Sequence, residues 1–143
     1  MLERSANRGH MKRLEWSVQY SVGVPKLDQQ HAYLFELADR LSRHLGDERA
    51  AQVINETIAD LHKYVDQHFA YEEAVMLSAG YAGLEEHRKA HALMRTRLEL
   101  FTAQLRQGVL DRQAFVKFIE AWLTEHILHE DAKYIPAVAT LRT

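Results

Sequence analysis

The chain has 143 residues, of which 47% are hydrophobic and 27% are charged, as expected for a globular domain with an apolar core. A net charge of −2 argues against a nucleic-acid partner, and no uninterrupted apolar stretch predicts a membrane span. Cysteine is absent, which excludes disulfides and thiolate metal sites, whereas nine histidines are an unusually large number.

The first part of the chain is predicted to lie outside the helical body. Residues 1–13 are polar and patternless and lack the apolar core of a secretory signal, so we interpret them as a flexible extension and expect a cytoplasmic protein. Residues 14–24 contain Trp16 and Tyr20 without a helical period. We expect them to form an extended arm that packs its aromatic side chains on a single domain formed by residues 14–143.

Four long helices are predicted between Pro25 and Pro136, because this stretch contains no other proline and little glycine. Glycines divide it into four segments, 27–45, 48–79, 84–107 and 111–133. Within each segment the inward-facing positions recur at steps of three and four, as on one face of a helix. Short loops between such helices predict an all-α fold, an up-down-up-down antiparallel four-helix bundle. Asp28 and Asp111 are predicted to cap the first and fourth helices.

Seven polar residues interrupt these apolar stripes: His31, His68, Glu72, His87, His91, His126 and Asp131. In an antiparallel bundle their positions along the four helices all fall at the same end, so we expect them to converge at one level of the core. Two pairs are spaced i, i+4 and share a helix face. The last two residues are five apart, which a regular helix would not place on one face, and we expect a local distortion there.

A buried cluster of five histidines and two carboxylates predicts a metal site. Each unpartnered buried polar group costs about 1–3 kcal/mol, which is large beside a domain stability of about 5–15 kcal/mol. Mixed imidazole and carboxylate ligands suit iron, manganese or zinc, and iron most naturally for oxygen or redox chemistry. Seven ligands exceed the needs of one ion and fit two. The sequence contains no H-E-x-x-H and no E-x-x-H, which argues against a zinc protease and a ferritin-like site.

Five pieces of the sequence match one family pattern between Trp16 and Tyr134. They are WSVQYSVGVPKLDQQH, which ends on His31, then HFAYEEAVM, GYAGLEEHRKAH and WLTEHILHED, and finally Tyr134, three residues after Asp131. On these motifs the chain resembles the hemerythrin family, specifically its single-domain bacterial members. All seven ligand positions of the family are filled, and the one departure is the additional stretch before Leu14.

The resemblance implies a non-haem di-iron centre, with two iron ions (Fe2+/Fe3+) and a bridging oxo or hydroxo group. By position, one iron would be held by His87, His91 and His126, and the other by His31 and His68. Glu72 and Asp131 would bridge the two irons. The iron with fewer protein ligands would then be the one that binds dioxygen.

Four apolar residues flank the expected ligands and are candidates for the walls of a dry oxygen pocket: Phe69, Trp122, Leu123 and Ile127. By the resemblance, Leu123 occupies the family position that faces bound oxygen. Tyr134 is expected to form a hydrogen bond near a bridging acid. The remaining histidines are expected at the surface, with His129 either there or beside the ligands: His10, His44, His62 and His129.

The expected function is reversible dioxygen binding for oxygen storage, delivery or sensing, by a binding protein rather than an enzyme. Slow oxidase or peroxidase chemistry would be a side reaction. The alternatives are a di-iron redox enzyme, a protein that handles nitric oxide or peroxide, and an iron buffer. Besides dioxygen, the expected partners are an oxygen-consuming enzyme or a signalling protein in trans, with no nucleic acid and no membrane.

Overall fold

The computed structural model describes residues 14–44, 47 and 51–142, and they form an all-α bundle. The four long helices are α1 (Pro25–Arg43), α2 (Ala51–Ser78), α3 (Leu84–Arg106) and α4 (Arg112–Glu125). Helix α1 packs against α2 and α4, and α2 packs against α3. The predicted four-helix bundle is therefore confirmed. None of the described helices is both long and apolar enough to cross a bilayer.

The two predicted helix caps have different outcomes. Asp111 caps α4, since its carboxylate accepts a hydrogen bond from the Ala114 N–H at 3.0 Å. The predicted cap at Asp28 is wrong, because α1 begins upstream of it and Asp28 lies in the first turn. There its carboxylate accepts hydrogen bonds from the Ser21 hydroxyl (2.6 Å) and the Val22 N–H (2.9 Å). Asp28 thus ties the N-terminal arm to α1.

The arm, residues 14–24, contains one 3-10 turn that ends at Tyr20 and a bend at Gly23, and it forms no other helix or strand. The buried ring of Tyr20 lies 4.8 Å from that of Phe35 on α1, centroid to centroid. Trp16 is half-buried against the same apolar core. The arm therefore packs its aromatic side chains on the bundle as expected. The proposed flexible extension, residues 1–13, lies outside the described residues.

The helical chain changes its winding where α4 ends, at Glu125. The chain makes a π turn at His126–Glu130, a 3-10 turn at Asp131–Tyr134 and a short helix α5 at Ile135–Ala139. A π turn is wider than an α-helical turn, with hydrogen bonds between residues five apart. The expected distortion between the two ligand candidates of this helix is therefore present, and it takes the form of a π turn.

Among the described residues, buried apolar side chains form two clusters. The large cluster contains residues of all four long helices, among them Leu34, Ile58, Leu98 and Ile119. The small cluster consists of Val22, Leu27, Met76, Leu84, Tyr134 and Val138. On each helix the ligand candidates lie between members of these two clusters. We refer to the seven ligand candidates as the polar layer. It is closed on one side by the large cluster and on the other by the small cluster.

Candidate metal centre

The structure brings the polar layer together as the topology predicts. Ligand atoms of Glu72, His87, His91, His126 and Asp131 all lie within 4.8 Å of one another, and those of His31, His68 and Glu72 form a second such group. All seven side chains are buried. The most accessible is His126, which is 6% exposed.

Glu72 turns one carboxylate oxygen towards each histidine group. Its Oε1 lies 2.9 Å from the Nε2 atom of His91 and 3.2 Å from that of His87. Its Oε2 lies 3.4 Å from the Nε2 atom of His31 and 3.6 Å from that of His68. A carboxylate held in this way has one oxygen available to each of two ions.

Asp131 divides its oxygens in the same manner. Its Oδ1 lies 2.9 Å from the Nε2 atom of His87 and 3.1 Å from that of His126. Its Oδ2 lies 3.1 Å from the Nε2 atom of His31. The π turn makes this possible, because residues five apart come onto one side of the wider turn.

Several atoms of the polar layer have no hydrogen-bond partner among the described residues, although they are buried. They are both carboxylate oxygens of Asp131, Nε2 of His91 and both ring nitrogens of His31. The Nε2 atoms of His87 and His126 also face each other at 3.2 Å. Buried nitrogen and oxygen atoms that converge in this way are unfavourable unless a proton or a metal cation lies between them. Imidazole nitrogens and carboxylates form a suitable donor set for iron, manganese or zinc.

The electrostatics of the layer explain what balances it without a metal. Burial lowers the pKa of His31, but the nearby carboxylates of Asp131 and Glu72 outweigh this and raise the pKa to about 9. The same balance raises the pKa of His87 to about 9. Burial alone would raise the pKa of the two carboxyls, but the neighbouring histidines hold both below their usual range. Burial dominates at His68 and lowers its pKa to about 4. Without a metal, protons on His31 and His87 therefore balance the negative charge of the two carboxylates.

Two of the histidines form hydrogen bonds through the ring nitrogen that points away from the layer, and their partners were not identified from the sequence. The Nδ1 of His68 lies 2.7 Å from Oε1 of Gln30, and the Nδ1 of His91 lies 2.8 Å from Oε2 of Glu73. A carboxylate only accepts hydrogen bonds, so His91 donates from Nδ1, and its Nε2 lone pair faces the layer. The signal in the sequence is weak, since both residues simply adjoin a ligand candidate.

Tyr134 closes the layer from the small cluster. Its hydroxyl donates a hydrogen bond to Oε2 of Glu72 at 2.8 Å. Burial, followed by the charge of Glu72, raises the pKa of the Tyr134 hydroxyl, so it remains a neutral donor. This is where the sequence predicted a hydrogen bond to an acid of the cluster.

The four candidates for the pocket wall lie where the polar layer meets the large cluster. Phe69 stacks on His91, with centroids 3.7 Å apart and planes at 6°. Trp122 stacks on His126 at 4.4 Å and 12°, and it is half-buried. Leu123 and Ile127, on either side of His126 in sequence, are both 2% exposed and belong to the large cluster.

The remaining histidines lie away from the layer, so far as the structure describes them. His129 is exposed and forms an ion pair with Glu125 at 3.1 Å. His44 bonds a carbonyl of its own helix, and His10 lies outside the described residues. The expectation of a solvated His62 is wrong. It is half-buried, and its Nε2 lies 2.6 Å from the Thr102 hydroxyl on α3.

A four-helix bundle with histidines and carboxylates in one buried layer defines a metal-binding class of helical protein. The chain belongs to the hemerythrin family: the family model for the hemerythrin HHE cation binding domain matches residues 22–138.

Comparison with individual proteins agrees with this assignment. The chain is 33% identical over 129 residues to bacteriohemerythrin of Pseudomonas aeruginosa, covering 90% of this chain and 83% of that protein. It is 31% identical over 119 residues to myohemerythrin of Riftia pachyptila, covering 83% and 88%. A crystal structure of wild-type hemerythrin superposes with a TM-score of 0.82 at 24% identity, covering 90% of this chain and 99% of that chain. This likeness supports the fold.

Proposed function

We propose that the chain binds dioxygen reversibly at a di-iron centre in the polar layer. The observation that carries the proposal is the division of the two buried carboxylates, each of which directs one oxygen towards each histidine group. A single ion would leave part of this arrangement unused, whereas two ions would use both oxygens of each acid. Membership of a cation-binding family supports the same interpretation.

The proposed assignment follows the two groups. His87, His91 and His126 would hold one iron, and His31 and His68 would hold the other. Glu72 and Asp131 would be shared, together with an oxo or hydroxo bridge. The iron with two histidines would retain an open position. When loaded, such a centre supplies the two electrons that dioxygen takes up on binding and returns on release.

The surrounding side chains would keep this chemistry reversible. Phe69, Leu123 and Ile127 are almost fully buried beside the layer, so they would exclude water from the bound gas. Trp122 would cover the layer at His126, its most accessible member. The hydroxyl of Tyr134 would hold the Glu72 carboxylate in its shared orientation.

The same centre could serve oxygen storage, delivery to an oxygen-consuming enzyme, or sensing through a signalling partner in trans. The competing proposals are a redox enzyme, a protein that handles nitric oxide or peroxide, and an iron buffer. They differ in what happens after oxygen is admitted. A carrier releases oxygen unchanged, an enzyme turns over faster with its substrate, and a buffer gives up its metal readily to chelators.

The test is an iron determination combined with an anaerobic spectral cycle. The reduced protein should contain two irons per chain, develop a visible absorption band when oxygen is admitted and lose it when oxygen is removed. The His129→Gln variant is the matched control, because it removes an exposed histidine that contacts Glu125. Two irons that oxidise once without a reversible band would overturn the carrier proposal, and so would a protein that takes up zinc but no iron.

A further inference from the structure

We propose that Glu73 and Gln30 make the two metal positions unequal. The carboxylate of Glu73 would strengthen the position that uses His91, whereas the neutral amide of Gln30 would leave the position that uses His68 weaker. This inference rests on the two-metal part of the proposed function. It concerns the order and strength of metal binding and does not depend on oxygen.

The two outward hydrogen bonds are matched in length and differ in charge. The bond from His91 to Glu73 is 2.8 Å long, and that from His68 to Gln30 is 2.7 Å long. A charged acceptor makes a stronger hydrogen bond than a neutral acceptor at the same distance, and it polarises the Nδ1–H bond of the imidazole more strongly. The opposite nitrogen then becomes a better electron donor to a metal. His91 is therefore the stronger ligand of the two.

The carboxylate of Glu73 is held by one hydrogen bond to each of its oxygens. Its Oε1 accepts a hydrogen bond from Nε of Arg88 at 3.3 Å, while its Oε2 accepts from His91. Arg88 also contacts Glu85, and its side chain is 41% exposed. Because that cation is shared between two acids and screened by water, it offsets only part of the negative charge on Glu73.

The group that uses His31 and His68 has no equivalent anion behind its histidines in the described part of the chain. His68 faces the amide of Gln30, and the outward nitrogen of His31 has no hydrogen-bond partner there. The difference in supporting charge therefore acts in the same direction as the difference in the number of protein ligands between the two metal positions. The position with more protein ligands is also the one with a charged supporting residue.

The test titrates metal-free protein with Co2+ under anaerobic conditions, in competition with a chelator of known affinity. Co2+ reports its ligands through its visible spectrum and requires no oxygen chemistry. The wild type should bind two ions with distinct dissociation constants. Glu73→Gln keeps the shape of the side chain and removes its charge, and it should weaken the tighter position about ten- to hundredfold. The weaker position should change by less than about threefold, so the two constants converge.

Two further variants separate charge at this contact from charge in general. Glu86→Gln makes the same change in net charge at an exposed residue paired with Lys89, and it should leave both constants unchanged. Gln30→Glu places a carboxylate behind His68 and should tighten the weaker position. Gln30 is buried, so this variant is compared only if its helical circular dichroism matches the wild type. If Gln30→Glu does not fold, the change in the two dissociation constants of Glu73→Gln still tests the proposal.

A readout other than affinity identifies the hydrogen bond itself. In the iron-loaded protein, Glu73→Gln should raise the midpoint reduction potential, because a weaker donor stabilises the ferric state less. A merely structural role would lower stability without moving the potential. If Glu73→Gln and Glu86→Gln behave alike, or if both constants shift equally in Glu73→Gln, the proposal is wrong. Two Co2+ ions bound equally would refute this inference alone, whereas a single bound ion would also remove the two-metal part of the proposed function.

Discussion

The large cluster and the polar layer share α1, α2, α3 and the last part of the bundle, from α4 to the turns that follow it, but they contribute to stability in opposite ways. In the large cluster, each fully buried aliphatic or aromatic side chain contributes about 1.5–3 kcal/mol by leaving water. In the polar layer, buried nitrogens and oxygens lack partners, and each such group costs about 1–3 kcal/mol. The large cluster therefore stabilises the fold by itself, and the polar layer depends on what it binds.

The largest effect should come from removing an acid that both metal positions share. Glu72→Ala deletes the carboxylate that faces four histidines of the layer. We expect the metal content after desalting to fall from two irons per chain to one or none. The metal-dependent gain in thermal stability should fall with it. Glu86→Ala, at an exposed acid, is the control. Full occupancy by two irons in Glu72→Ala would contradict the bridging role.

The converse change breaks the large cluster and should spare the layer. Phe115 is 2% exposed and packs against Phe101 with centroids 5.0 Å apart. Phe115→Ala should lower the free energy of unfolding by about 3–5 kcal/mol. Urea unfolding should show the same loss with and without metal, while the metal content stays at two per chain. Ile119→Val, with an expected loss of about 0.5–1.5 kcal/mol, is the milder variant. Loss of metal in either folded variant would show that the two regions are coupled.

Raising the pH should separate the metal-free from the metal-loaded protein. His31 and His87 have a pKa of about 9 in the folded metal-free chain, against 6.5 for the ordinary side chain. Between these values the folded state holds protons that the unfolded state has lost. The stability of the metal-free protein should therefore fall as the pH rises from about 6.5 to about 9.

Metal binding requires neutral imidazoles, so the stabilisation by metal should grow over the same interval. Unfolding midpoints of both forms at several pH values measure the difference. His129→Gln should keep the slope of the wild type, whereas His31→Gln should reduce it. A metal-free protein that is equally stable at pH 7 and pH 9 would contradict the proton balance in the layer.

The smallest expected effect lies at the boundary between the two regions. Leu123→Ala should open the proposed pocket wall and raise the rate of irreversible oxidation of the oxygenated protein by about tenfold, equivalent to about 1.4 kcal/mol in the barrier. Leu98→Ala makes the same substitution within the large cluster. It should reduce stability and leave the oxidation rate unchanged. Equal rates in the two variants would remove Leu123 from the pocket.

Much of the fold and of the polar layer follows from sequence, because helical periodicity and topology act together. The spacing of inward positions gave the four helices, and antiparallel packing placed His31 and Asp131 at one level although they are far apart in the chain. Even the π turn had a signal, in the five-residue step from His126. The prediction for Asp28 is wrong because Pro25 lies in the first turn of α1, where proline is favoured, so the helix begins before Asp28.

Contacts between neighbouring helices were not predictable in the same way. Gln30 and Glu73 resemble ordinary polar residues next to a ligand candidate, and only the positions of His68 and His91 give them a role. His62 finds its partner 40 residues away on another helix. A periodic pattern shows which face of a helix is apolar, but it does not show which polar atom on a neighbouring helix lies opposite.

The π turn also determines how the chain tolerates changes in length. It behaves as one extra residue between two stretches of helix, and Asp131, Tyr134 and Val138 take their inward direction from the second stretch. Loss of one residue from 127–130 could be absorbed by returning to a regular α-helical turn, in which residues four apart share a face. Gain of one residue would rotate everything beyond it by about 100°. During evolution this segment should therefore tolerate the loss of one residue but not the gain of one.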